Sequence, residues 1–190
     1  MAERRVIDNV YLLWAVLALP AAWLIVQRYM LHGDFFFLAL SGKWAAWLFV
    51  ATMAVTPLQM IVGPLPWLRK RRRYIGVATF GYSLLHLVVW LTENNIRAVV
   101  KSFIRPEIVT GWIGFAMLIA LAMTSTDEAV RRHGPKWKKI QRWIYPAAVF
   151  TFLHWIMTAE HEAQVWILCA PIIVASAWRL IRYRLRMRRT

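Results

Sequence analysis

Two histidines in this sequence lie where ionisable side chains are expensive. His86 falls in an apolar run from about Tyr74 to Leu91, and His154 in another from about Trp143 to Met157. A titratable group inside such a run is expected to face the interior of a helix bundle or a cofactor. From Arg73 to His86 is 13 residues, and from Gln141 to His154 is also 13. At about 1.5 Å per residue each imidazole stands about 20 Å along its helix from a basic edge. Two imidazoles at equal depth on parallel spans could clasp one planar ligand. Histidine is an axial ligand of haem iron, and two of them give a low-spin, electron-transferring centre. Intramembrane histidines also serve as helix–helix hydrogen-bond donors, so the spacing alone leaves both readings open. Zinc fits less well, because it wants three or four ligands and neither run offers a third close by.

The elements that must position this pair are apolar helices. Of the 190 residues 60% are hydrophobic and 17% charged, too apolar for a water-soluble domain of this length. About 20 apolar residues span a hydrocarbon core, and six stretches qualify. They are Val10 to Met30, Trp44 to Ile61, Tyr74 to Leu91, Ile108 to Met123, Trp143 to Met157 and Ala163 to Arg179. The expected fold is therefore an all-α, six-helix transmembrane bundle, cytochrome b-like, forming a single domain over residues 1–190. No internal repeat is evident in the side-chain pattern. The first run is too long for a signal-peptide core and is read as the first span. The lone cysteine, Cys169, excludes an intramolecular disulfide and reads as a small buried hydrophobe.

The net charge of +15 might point to nucleic acid, but the basic residues sit between the apolar runs. Five lie at Arg69–Arg73, six between Arg131 and Arg142, and six in the tail from Arg179 to Arg189. The intervening gaps are sparse or mixed. Alternate gaps carrying Lys and Arg place both termini in the cytoplasm and make the number of spans even. The expected location is a bacterial inner membrane, multi-pass, with anionic lipid heads against the arginines. A flavin phosphate or an electron donor could dock at the same basic edge. Several tryptophans near span ends, among them Trp14, Trp67 and Trp143, suit the interface. His32, His133 and His161 fall in loops and read as solvated or turn residues. No Gly-rich phosphate loop, nucleophile elbow or HExxH is present, so no residue is assigned a catalytic role.

Four stretches resemble the MsrQ or YedZ family, the haem-binding membrane subunit of a periplasmic methionine sulfoxide reductase system within the ferric-reductase-like transmembrane group. They are SGKWAAWLFVATMAVTPL from Ser41, RRRYIGVATFGYSLLHL from Arg71, ALAMTSTDEAVRRHGPKWKKIQRWIYP from Ala120, and AAVFTFLHWIM from Ala147. Together they cover most of residues 41–157, and TSTDEAVRRHGPKW is the most specific. The resemblance implies a six-helix cytochrome b with His86 and His154 as the haem ligands. It implies an electron-transfer subunit rather than a stand-alone catalyst. Electrons would come from a flavin reductase or quinol and go to a molybdenum-containing periplasmic partner.

One departure qualifies this. The family carries a histidine where this chain has Gln141, the position expected to hold a second, inner haem. The matching place on the third span holds Arg72 or Arg73, whose guanidinium cannot ligate iron. The expectation is one haem b on the outer side, with FMN or a quinone as the candidate to bridge the remaining distance. The alternative is an accessory subunit of a larger membrane electron-transfer complex that has lost some or all of its haem.

Overall fold

A computed structural model describes residues 9–30, 37–159, 163, 165–170, 173–174 and 177–178. Every regular element among them is helical. Helix α1 is Val10–Tyr29, α2 is Phe37–Val62, α3 is Pro66–Glu93, α4 is Ile96–Ser102, α5 is Pro106–Met123, α6 is Asp127–His133, α7 is Trp137–Gln141 and α8 is Ile144–Thr158. Four of them, α1, α2, α3 and α5, are long and apolar enough to cross a membrane, and α8 is a shorter apolar helix. Their outward faces carry large exposed hydrophobics such as Ile61, Leu91 and Val149, the surface a lipid environment calls for. Of the expected sixth span, residues 165–170 are helical, with Val165 and Cys169 buried in the core. The remainder of that span lies partly outside the described residues. His32, His161 and the arginine-rich tail fall wholly outside them.

The packing divides into two helix pairs, α2 against α3 and α5 against α8, joined by contacts between α3 and α5 and between α2 and α8. Phe49, Met53, Leu118, Leu121, Ala147, Ala148 and Phe152 form the shared core. Small residues let the backbones close up, as membrane helices require when lipid offers no hydrophobic drive. Gly114 shows this on α5, where a Cβ would stand 3.0 Å from Thr151 Oγ1 and 3.3 Å from the Thr151 nitrogen.

Helix α3 starts earlier than the apolar run predicts. The turn before it is only three residues, opened by Gly63 in the left-handed region at φ 92°. Pro66 starts α3 at a position where its missing N–H costs nothing. Arg69–Arg73 therefore lie on the first turns of the helix, not in a loop. Arg73 pairs with Asp127 at the start of α6, where Thr126 caps the helix by accepting from the Ala129 N–H at 3.1 Å. With Trp137 Nε1 donating to the Thr124 carbonyl, the segment from Thr124 to Trp137 closes this end of the bundle.

Helix α3 also satisfies two proline breaks in its neighbours. Pro20 in α1 opens its turn, and the Tyr82 hydroxyl enters the gap. It donates to the Leu17 carbonyl at 2.7 Å and accepts from the Ala21 N–H at 2.9 Å, an inserted group in place of a ladder bond. Pro57 in α2 loosens the next break, where Arg72 Nε donates to the Thr52 carbonyl at 3.1 Å and its terminal nitrogen to Thr56 Oγ1 at 3.4 Å. Tyr82→Phe leaves both α1 groups without partners in an apolar setting. It is expected to cost about 1–3 kcal/mol, read as a lower thermal midpoint in detergent with the helical circular-dichroism signal unchanged at low temperature.

Candidate metal centre and basic cavity

The structure brings the two sequence-identified histidines together. His86 on α3 and His154 on α8 face each other with ring centroids 6.4 Å apart and planes crossed at 68°. This juxtaposition does not depend on the continuous ruler that the sequence spacing assumed. Between Gln141 and Ile144 the chain leaves the helix for a tight turn, because Pro146 has no N–H to offer the Arg142 carbonyl. Tyr145 N bonds that carbonyl instead at 3.1 Å, and Ala147 N bonds Trp143 O at 3.0 Å. Both turn residues keep right-handed helical torsions, so the register survives the break.

Each ring is fixed by a main-chain acceptor. His86 Nδ1 lies 3.1 Å from the Leu38 carbonyl, and His154 Nδ1 lies 2.6 Å from the Glu107 carbonyl. A carbonyl can only accept, so both Nδ1 atoms carry the proton and both Nε2 atoms carry the lone pair. Ser41 Oγ donates its own proton to Leu38 O at 2.8 Å and stands 3.2 Å from His86 Nδ1, where its oxygen accepts. This is the arrangement that orients histidine for a metal: one ring nitrogen anchored, the other free to ligate.

The spacing fits one metal between the rings. Metal–nitrogen bonds of about 2 Å, with about 1.1 Å from each nitrogen to its ring centre, would put two ligating imidazoles about 6.2 Å apart. A second observation is Trp112 Nε1 on α5, a buried donor with no partner among the described residues. Among the described residues His86 and His154 would be the ones to hold an iron porphyrin, and Trp112 offers an unpaired donor on α5. Sequence reasoning did not find Leu38, Glu107 or Trp112, because two of them act through backbone carbonyls and the third through an unpaired N–H.

At the opposite end of the same helices the structure places a cavity of about 350 Å³. Thr52, Arg72, Arg73, Trp137, Gln141 and Tyr145 are among its walls. Arg69, Lys138 and Arg142 add to the positive charge, and among the described residues no carboxylate lines it. Gln141 is not poised as a ligand: its amide donates to Thr124 Oγ1 at 3.1 Å, beside Trp137 Nε1, which donates to the Thr124 carbonyl at 2.8 Å. His133 belongs to neither site; its Nδ1 bonds the Ala129 carbonyl at 2.9 Å within α6.

The family model described as "Ferric reductase like transmembrane component" matches residues 13–152. A protein-methionine-sulfoxide reductase heme-binding subunit MsrQ from Ralstonia nicotianae is 34% identical, covering 88% of this chain and 82% of the relative. The chain belongs to the MsrQ family of ferric-reductase-like membrane proteins. An MsrQ heme-binding subunit from Brucella ovis is 30% identical over 79% of this chain and 70% of its own length. The magnetosome protein MamZ of Paramagnetospirillum magneticum is 30% identical over 97% of this chain, which spans only 31% of that longer protein. No solved structure matches the chain.

Proposed function

We propose that this protein is a membrane cytochrome b-type electron-transfer subunit in which His86 and His154 hold a single haem b. The observation that carries this reading is the 6.4 Å separation of two rings whose Nδ1 atoms are both tied to main-chain carbonyls. When bound, the haem supplies one-electron redox chemistry. The chain's own groups orient its ligands by holding each Nδ1 on a main-chain carbonyl and shield the centre with apolar side chains. The MsrQ relatives, named as heme-binding subunits of a protein-methionine-sulfoxide reductase, support a catalytic partner of that kind.

In this reading the bundle has six spans, with both termini on the cytoplasmic side of a bacterial inner membrane. The haem lies in the outer half and serves an extracytoplasmic, molybdenum-containing partner. The single haem follows from chemistry at the other end. Arg72 is committed to Thr52 and Thr56, Arg73 to Asp127, and Gln141 to Thr124, so among the described residues no pair of neutral nitrogen ligands faces the cavity. That cavity, cationic and of small-cofactor size, suits an anionic or carbonyl-bearing electron donor such as FMN or a quinone.

The test is an optical spectrum of the purified protein with haem and protein quantified together. One haem per chain and a dithionite-reduced b-type α band are expected. Two haems per chain would reject the single-haem reading. A colourless preparation made with ample haem supply would reject the cytochrome, leaving an accessory membrane subunit.

A further inference from the structure

The two halves of the histidine site are built alike, although their side chains show no repeat. In α2 the carbonyl that receives His86 belongs to Leu38, and the residue four later is Gly42. In α5 the carbonyl that receives His154 belongs to Glu107, and the residue four later is Gly111. Each histidine stands on the next long helix of its pair, 48 residues after its carbonyl in one case and 47 in the other.

The spacing has a physical reason. In an α-helix the side chain at i+4 leans back toward the turn below it and covers the carbonyl at i. A glycine at i+4 uncovers that carbonyl, whose second lone pair can then receive a donor from a neighbouring helix. A Cβ on Gly42 would stand 2.9 Å from His86 Cε1 and 3.1 Å from its Nδ1. A Cβ on Gly111 would stand 2.9 Å from His154 Nδ1 and 3.0 Å from its Cε1. Both distances are too short for real carbon contacts, so each ring occupies the space its glycine leaves. Gly81, on α3 itself, has nothing within 4 Å of its notional Cβ.

We propose that Gly42 and Gly111 are positioning residues for the two ligand imidazoles. Each seats a ring against helix backbone, and together they hold the two ring planes crossed. The inference rests on the bis-histidine haem reading above. Thirteen residues along each helix from these glycines stand Val55 and Thr124, so the same cradle is not repeated at the basic end.

The experiment compares wild type with Gly42→Ala, Gly111→Ala and Gly81→Ala, purified in detergent with haem. Ferric wild type is expected to give the single large-g electron paramagnetic resonance signal of crossed axial imidazoles. Gly42→Ala and Gly111→Ala are each expected to bind haem about 10- to 100-fold more weakly, by loss of the ligand's anchoring bond. What haem they retain should show a more rhombic spectrum and a shifted midpoint potential, while Gly81→Ala matches wild type in all three readouts. A coloured wild type with a rhombic, parallel-plane spectrum overturns the inference, and this measurement stands even if an alanine variant fails to accumulate. So does a pair of alanine variants indistinguishable from Gly81→Ala. A colourless wild type removes the haem reading itself and the inference with it, an outcome separate from the other two.

Discussion

His154→Ala and His86→Ala are each expected to abolish the reduced α band, with haem content falling roughly tenfold or more. The expectation follows from how each ring is held. His154 is anchored by Glu107 O and lodged against Gly111, and His86 is anchored by Leu38 O and Ser41. Truncation removes a ligand and leaves a main-chain carbonyl facing an apolar space. Exogenous imidazole, which can refill that space and donate to the same carbonyl, is expected to restore part of the low-spin spectrum. His154→Met should behave differently. Histidine–methionine ligation raises the potential of a haem, so that variant should keep its colour and titrate at a higher midpoint. An unperturbed α band in both alanine variants would transfer the iron to other ligands and end the bis-histidine account.

The histidine pair was legible in the sequence because a titratable group in an apolar run is rare enough to notice, and two at matched depth rarer still. The outline of α1, α2, α3, α5 and α8 was legible for a similar reason: each coincides with an apolar run of span-like composition. What was not legible concerns backbone. The expected third span began at Tyr74, eight residues after α3 begins at Pro66, because arginines break an apolar pattern without breaking a helix. The gap before α5 and the one before α8 hold short helices that hydropathy does not register. The repeated cradle was invisible because its working parts are a carbonyl and an absent side chain. Leu38 and Glu107 have nothing in common as side chains, and only Gly42 and Gly111 mark the correspondence. Their separations from His86 and His154, 44 and 43 residues, were the available signal. The notion of matched depth survived for a reason the ruler did not contain, since the turn forced by Pro146 keeps helical torsions.

The two ends of the bundle differ in what their polar groups have left to give. At the histidines, Nε2 of each ring remains available to a bound group, since the main-chain carbonyls engage Nδ1. At the basic end, Gln141, Trp137 and Arg72 already donate to Thr124, Thr52 and Thr56. Those bonds join α7 to the end of α5 and α3 to α2, so these residues serve helix packing. A ligand entering the 350 Å³ cavity meets a fixed positive rim, an environment that selects for charge more than for metal coordination.

Gly114→Val is expected to damage both stability and the haem site, although Gly114 touches neither histidine ring in the contacts its Cβ would make. Its closest neighbours would be Thr151 Oγ1 at 3.0 Å and the Thr151 nitrogen at 3.3 Å. A hydroxyl can rotate away, but a backbone nitrogen moves only with its helix, so α8 must retreat from α5. Overpacking of this sort costs about 1–3 kcal/mol. Thr151 and His154 are three residues apart and lie on the same face of α8, so the retreat also draws the imidazole away from Glu107 O. The variant should therefore show a lower thermal midpoint and a weakened low-spin spectrum together. Gly114→Ala should show smaller changes in the same direction. Loss of stability with an unchanged haem spectrum and potential would mean that the α5–α8 contact and the histidine geometry are independent. The two falling together would show that the closeness of these helices is what holds His154 at its distance from His86.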